Sequence, residues 1–208
     1  MTGLRFHETM RGRIALRAFD PVDGYERVDG IAAVMHISVD IPDVRAFVRD
    51  RPHQAVMRAD VVIPVLGGRF VTSKGKFICF QPGEGPNGTA VQQMLYSAEL
   101  VNDDRVVEMS ARKVLDPSGW RVWRDTTNLL VCLTDETPDA DLERPRRAAG
   151  VVSITLWEFI RQLSTMRAYG DGGPVSKAGA VLGYVAFFVK GLVGTYFGDD
   201  GEQVSLRA

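Results

Sequence analysis

Residues 4–18 alternate in polarity. Leu4, Phe6, Met10, Ile14 and Leu16 point one way, and Arg5, His7, Thr9, Arg11, Arg13 and Arg17 point the other. A period of two is the mark of a strand with one buried and one solvated face. The pattern recurs along most of the chain, interrupted by turn residues. Strands joined by short turns form an antiparallel sheet, and a sheet of this extent must close on itself or be covered. The expectation is therefore a mainly β fold: a lipocalin-like barrel, or a strongly curved antiparallel sheet. A barrel of that size often encloses a small apolar ligand.

Pro21-Val22-Asp23-Gly24 has turn chemistry. In residues 31–41, Ile31, Ala33, Met35, Ile37, Val39 and Ile41 oppose His36, Ser38 and Asp40. Asp43 is placed to N-cap a short helix through Asp50, with Val44, Phe47 and Val48 on its inner side. Further strands are expected at 56–65, at 69–72 and 76–80 flanking a Ser73-Lys74-Gly75 turn, and at 91–101, 105–115, 121–133 and 149–155. Residues 81–88 read as a Pro/Gly loop, and 137–147 as a charged linker. Thr155 and Glu158 have capping-box spacing, and apolar residues at helical spacing follow. Two C-terminal helices, 156–169 and 176–197, are expected within a single domain of residues 1–198, followed by a polar tail at 199–208.

Composition excludes several classes. Lysine plus arginine total 25 and aspartate plus glutamate 26, a net charge of −1, so no overall field favours nucleic acid. Cys79 and Cys132 lie in apolar runs without metal-ligand spacing and read as buried free thiols of a reducing compartment. The first twelve residues lack the apolar stretch of a signal peptide, and a cytoplasmic location is expected. Gly83-Glu84-Gly85-Pro86-Asn87-Gly88 matches the spacing of a dinucleotide-binding loop, but prolines stiffen it and no strand–loop–helix unit surrounds it. No cofactor is expected. Residues 178–197 carry one charge, Lys190, over a length that approaches a membrane span. Packing across the sheet or barrel mouth is the main expectation, with peripheral membrane contact and a true membrane span as the alternatives.

Candidate site residues come from polar positions on strands. His36 and Asp40 share one strand face. Trp123, Asp125 and Thr127 share another, continuous with Leu129 and Val131, with Arg124 beside them. An aspartate facing a core must be paired, so Asp125 is expected to be hydrogen-bonded.

Several motifs carry a resemblance when read in order: Phe6-His7-Glu8-Thr9-Met10-Arg11-Gly12, Asp43-Val44 with Phe47, Leu66-Gly67-Gly68, Trp123-Arg124-Asp125-Thr126-Thr127, and Phe159 with Arg161-Gln162-Leu163. The chain resembles a bacterial domain that accompanies cholesterol-oxidase-like GMC oxidoreductases, where it lies beside a flavin domain and sometimes an α/β-hydrolase domain. The resemblance covers residues 5–197 and assigns no catalytic residue. It implies a non-catalytic accessory module for a sterol- or lipid-like molecule, partnered by a GMC-type flavin oxidase or a hydrolase. The alternatives are an enzyme of lipid metabolism with an unrecognised site and a purely structural interaction domain.

Overall fold

The computed structural model describes residues 1–85, 88–116, 126–137, 146–155, 158 and 165–197. Its strands are β1 (Thr2–Leu16), β2 (Ile31–Ile41), β3 (His53–Ile63), β4 (Gly68–Glu84), β5 (Ala90–Val101), β6 (Val106–Leu115), β7 (Asn128–Asp135), β8 (Arg147–Ser153) and β9 (Arg167–Gly170). Each of β1 to β7 pairs antiparallel with the next, and β8 pairs with β1, so eight strands close into an up-and-down barrel. Closure depends on the length of β1. One edge runs along β2 from the Leu4–Ile41 pair to the Ile14–Ile31 pair. The other is shared between β9, beside Thr2 to Arg5, and β8, beside Arg11 to Leu16.

The seam between β1 and β8 is tight. A Cβ added at Gly150 would lie 2.0 Å from the Arg13 carbonyl oxygen, and one at Gly12 would lie 1.9 Å from that of Val151. Only glycine permits that backbone approach.

Alternation fills the interior. Met10, Ile14, Met35, Met57, Val61, Phe70, Leu100, Val107, Met109, Val131 and Leu133 are buried in one continuous core. Two short helices sit at opposite ends. α1 (Pro21–Glu26) is N-capped by Asp20 and follows the end of β1, where Ala15, Ala18 and Ala149 form a small separate cluster. α2 (Val44–Arg49) joins β2 to β3 at the other end and is N-capped by Asp43, whose Oδ1 accepts from the Arg45 and Ala46 amides at 2.9 and 3.2 Å. The long helix α3 (Pro174–Phe197) crosses that same end. Tyr184 and Ala180 insert into the core. Tyr184 packs on Phe6 with ring centroids 5.5 Å apart, and Phe187 meets His53 edge-on at 4.7 Å.

Several expectations need correction. The helix foreseen at 156–169 cannot run to its end, because Arg167–Gly170 is β9, recruited by the free edge at the start of β1. The capping box foreseen before it is present: Thr155 Oγ1 accepts from the Glu158 amide at 3.3 Å and Glu158 Oε2 accepts from the Thr155 amide at 3.1 Å. Residues 156–157 and 159–164 lie outside the described residues. Ser73-Lys74-Gly75 does not turn the chain. β4 continues through it with a bulge, where the register shifts opposite both β3 and β5, and runs on to Glu84. Pro21–Glu26 is a helix rather than a turn, since Pro21 at its first position follows an N-capping aspartate. Cys79 is buried but Cys132 is exposed, on the outward face of β7.

Candidate functional site

The cavity of interest lies under α3. Its volume is about 160 Å³, and it is not fully sealed. Phe6, Phe77 and Met94 from the strands, Met166, and Tyr184, Val185, Phe188, Val189 and Leu192 from α3 line it. Four polar side chains interrupt this apolar wall: Glu8, Tyr96, Lys113 and Thr126.

Strand parity puts Glu8, Tyr96 and Lys113 inside. On β1, Glu8 shares the inward face with Phe6 and Met10. On β6, Lys113 shares it with Ala111 and Leu115. The two side chains are 7% and 5% exposed. They come from walls that are not adjacent in the sheet, and Lys113 reaches through the lumen to donate from Nζ to Glu8 Oε2 at 3.1 Å. The Tyr96 hydroxyl donates to the same oxygen at 3.4 Å, and Lys113 Nζ stands 5.6 Å from the centre of the Tyr96 ring. Burial, reinforced by the nearby Glu8 charge, holds the Tyr96 hydroxyl well above its ordinary pKa. Burial does the same for Tyr184. Both are neutral phenols at physiological pH.

Taking two charges out of water is costly, and their attraction repays this only when geometry and further hydrogen bonds are good. A lone carboxylate or ammonium in this cavity would be worse still. The pair therefore supplies a donor and an acceptor to the cavity with no net charge. Among the described residues the other buried carboxylate is Asp135, taken up at the far end of β6 and β7 by Arg105 Nη1 at 2.7 Å and the Thr137 amide at 3.1 Å.

The residues singled out from the sequence fall elsewhere. His36 is exposed on the outer face of β2, with its Nδ1 3.0 Å from the Thr9 hydroxyl. Asp40 is on the same outer face, where its Oδ2 accepts from Arg5 Nη2 at 2.5 Å and its Oδ1 accepts from the Tyr169 hydroxyl. Burial alone would push the Asp40 carboxyl up, but the Tyr169 and Arg5 hydrogen bonds hold it below the ordinary carboxylate value. This arrangement fastens β9 to β1, and neither His36 nor Asp40 reaches the cavity. Thr127 is buried, and its carbonyl accepts from the Ile154 amide at 3.2 Å, while its neighbour Thr126 faces the cavity. Trp123, Arg124 and Asp125 lie outside the described residues, as does part of the glycine-rich loop, at 86–87.

Glu8 and Lys113 were missed although their positions carried a signal. Each is a charge at an inward-facing position of an otherwise apolar strand face. That the two meet depends on barrel closure. Among the described residues no three His, Cys, Asp or Glu side chains are grouped to hold a metal ion. No family model, no curated protein and no solved structure matches the chain.

Proposed function

We propose that the barrel is a binding module for a small, neutral, mainly apolar molecule bearing one hydroxyl or carbonyl group. The observation that carries this reading is the unsealed apolar cavity with the neutral-in-sum Glu8–Lys113 pair in its wall. A hydroxyl can donate to Glu8 and accept from Lys113 at once, and a carbonyl can accept from Lys113. A carboxylate or an amine would add an unbalanced buried charge. The volume resembles that of an engineered cavity of about 150 Å³ that takes benzene, so a ring-sized portion of the ligand sits inside. A longer sterol- or lipid-like molecule, the class implied by the resemblance, places its polar end here and the rest along α3. An eight-strand up-and-down barrel with one helix across its mouth is lipocalin-like in plan, and such barrels hold one small ligand. In this reading the module works in the cytoplasm, beside a GMC-type flavin oxidase or an α/β-hydrolase.

The test is fluorescence titration with N-phenyl-1-naphthylamine, a neutral apolar probe, followed by displacement. Support is one saturable site from which a neutral alcohol displaces the probe far better than the carboxylate of the same carbon skeleton. No saturable binding, or equal displacement by both, contradicts the reading.

A second reading rests on the same side chains. A buried lysine beside a carboxylate and a phenol is also a proton-transfer constellation. Conversion of a bound alcohol or ketone, abolished by Lys113→Met in a folded variant, would establish an enzyme instead.

A further inference from the structure

Helix α3 is apolar on both sides. Its inner side carries the buried Ala180 and Tyr184. Successive residues of a helix turn by about 100°, which brings Val175, Leu182, Val189 and Val193 onto the opposite side. These four are 88%, 67%, 52% and 51% exposed, and Phe197 beside them is 76% exposed. A helix apolar all round is ordinarily buried in a core or a membrane. Here the most apolar 18-residue window has a mean hydropathy of 1.6, yet only 6% of it is buried. The helix carries Lys177 and Lys190 and no aspartate or glutamate. Arg45 and Arg49 of α2 line the cleft beside its first turns together with Asp43 and Asp171. Arg49 is paired with Asp50 at 2.7 Å, so among the described residues Arg45 and Lys190 are the cations nearest the outer face that stand outside an ion pair.

We infer that this outer face docks on an anionic lipid bilayer. An interfacial helix needs a polar side turned to water and an apolar side turned to lipid. α3 has no polar side of its own, and the barrel to which its inner face is tied supplies one. The helix therefore lies along the membrane surface rather than across it. Charge favours lipid over a second copy of this chain. Two α3 helices packed face to face would bring together Lys190, at the border of each outer face, and no carboxylate of the helix, whereas anionic headgroups supply negative charge beside it.

The docking face is continuous with the cavity. Val189 belongs to both, and Val185 and Leu192 adjoin it on the cavity wall. A molecule dissolved in the bilayer would enter on the unsealed side without crossing water. This route rests on the ligand reading above; the docking itself does not.

Co-sedimentation with vesicles tests the inference, using phosphatidylcholine with and without phosphatidylserine. Leu182→Asp/Val193→Asp is the informative variant, because both residues are exposed and neither lines the cavity. Unchanged melting temperature and unchanged N-phenyl-1-naphthylamine binding establish that the variant is folded. The wild-type protein is expected to pellet with phosphatidylserine vesicles, and the variant to lose at least about tenfold in partitioning, since a charge placed in the apolar layer is strongly disfavoured. Three results overturn the inference: wild-type protein that stays in the supernatant with both vesicles, equal pelleting of wild type and variant, or a wild-type dimer that ignores vesicles and becomes a monomer in the variant. The last would show that a second copy covers the face. Vesicle binding without probe binding would sink the ligand reading alone, and probe binding without vesicle binding the docking alone.

Discussion

Lys113 Nζ lies 3.1 Å from Glu8 Oε2, and the two residues belong to β6 and β1, strands that do not touch in the sheet. The bond spans the lumen, and both side chains are almost wholly buried. It therefore ties barrel closure to the polarity of the cavity, and stability and binding should respond to it differently.

Removing one partner leaves the other charge buried without its counter-ion, which costs about 3–5 kcal/mol. Lys113→Met and Glu8→Leu are each expected to lower unfolding stability by that amount. The double variant Glu8→Leu/Lys113→Met should recover most of it, since an apolar pair of similar volume replaces an ion pair with little loss. Urea unfolding of the four proteins measures the coupling. Additive losses would mean that the pair contributes nothing as a pair.

The β1–β8 seam makes a separate prediction. Gly150→Ala forces a Cβ onto the Arg13 carbonyl oxygen, which is backbone and cannot swing aside. The expected cost is at least about 1–3 kcal/mol, the range for overpacking. Thermal unfolding reads it, and an unchanged melting temperature would mean that β1 and β8 sit further apart than described.

The contact between β9 and β1 should depend on pH. Asp40 is held below its ordinary pKa, so its contribution is complete above about pH 4 and is lost as pH falls through the depressed value. Tyr169 is pushed up to about 12, first by burial and then by its bond to Asp40. That contribution is complete below about pH 10 and is lost as pH rises towards 12. Asp40→Asn should cost on the order of 1 kcal/mol at neutral pH and flatten the fall in stability on the acid side. A variant with the acid profile of the wild type would remove Asp40 from this role.

The two thiols should report opening of the barrel. Cys132 is exposed on β7, and Cys79 is buried with a thiol pushed up by that burial. A maleimide is expected to label Cys132 in the native protein and Cys79 only after denaturation. Rapid labelling of both would mean that the barrel opens readily.

The barrel was legible because each strand declares its inward face within a few residues, as Leu4, Phe6 and Met10 do on β1. The caps at Asp43 and at Thr155 with Glu158 were legible for the same local reason. β9 was not: Met166 continues a helical spacing, and only the unpaired start of β1, far away in sequence, draws Arg167–Gly170 into the sheet. At Ser73-Lys74-Gly75 the turn residues become a bulge within β4, because regular pairing with β3 and β5 on either side keeps the strand going. At the site, His36 and Asp40 drew attention by residue type, although their strand parity turns them outward. Glu8 and Lys113 had the right parity, but their meeting is a property of the closed barrel.

The central claim is that a neutral apolar ligand binds beneath α3. Methionine methyl NMR tests it most directly, because Met94 and Met166 line the cavity while Met35, Met57 and Met109 lie in the core outside it. Titration with N-phenyl-1-naphthylamine is expected to move the Met94 and Met166 methyl signals saturably and leave the other three in place. Saturable shifts confined to Met35, Met57 or Met109, or no shift at Met94 at saturating probe, would contradict it.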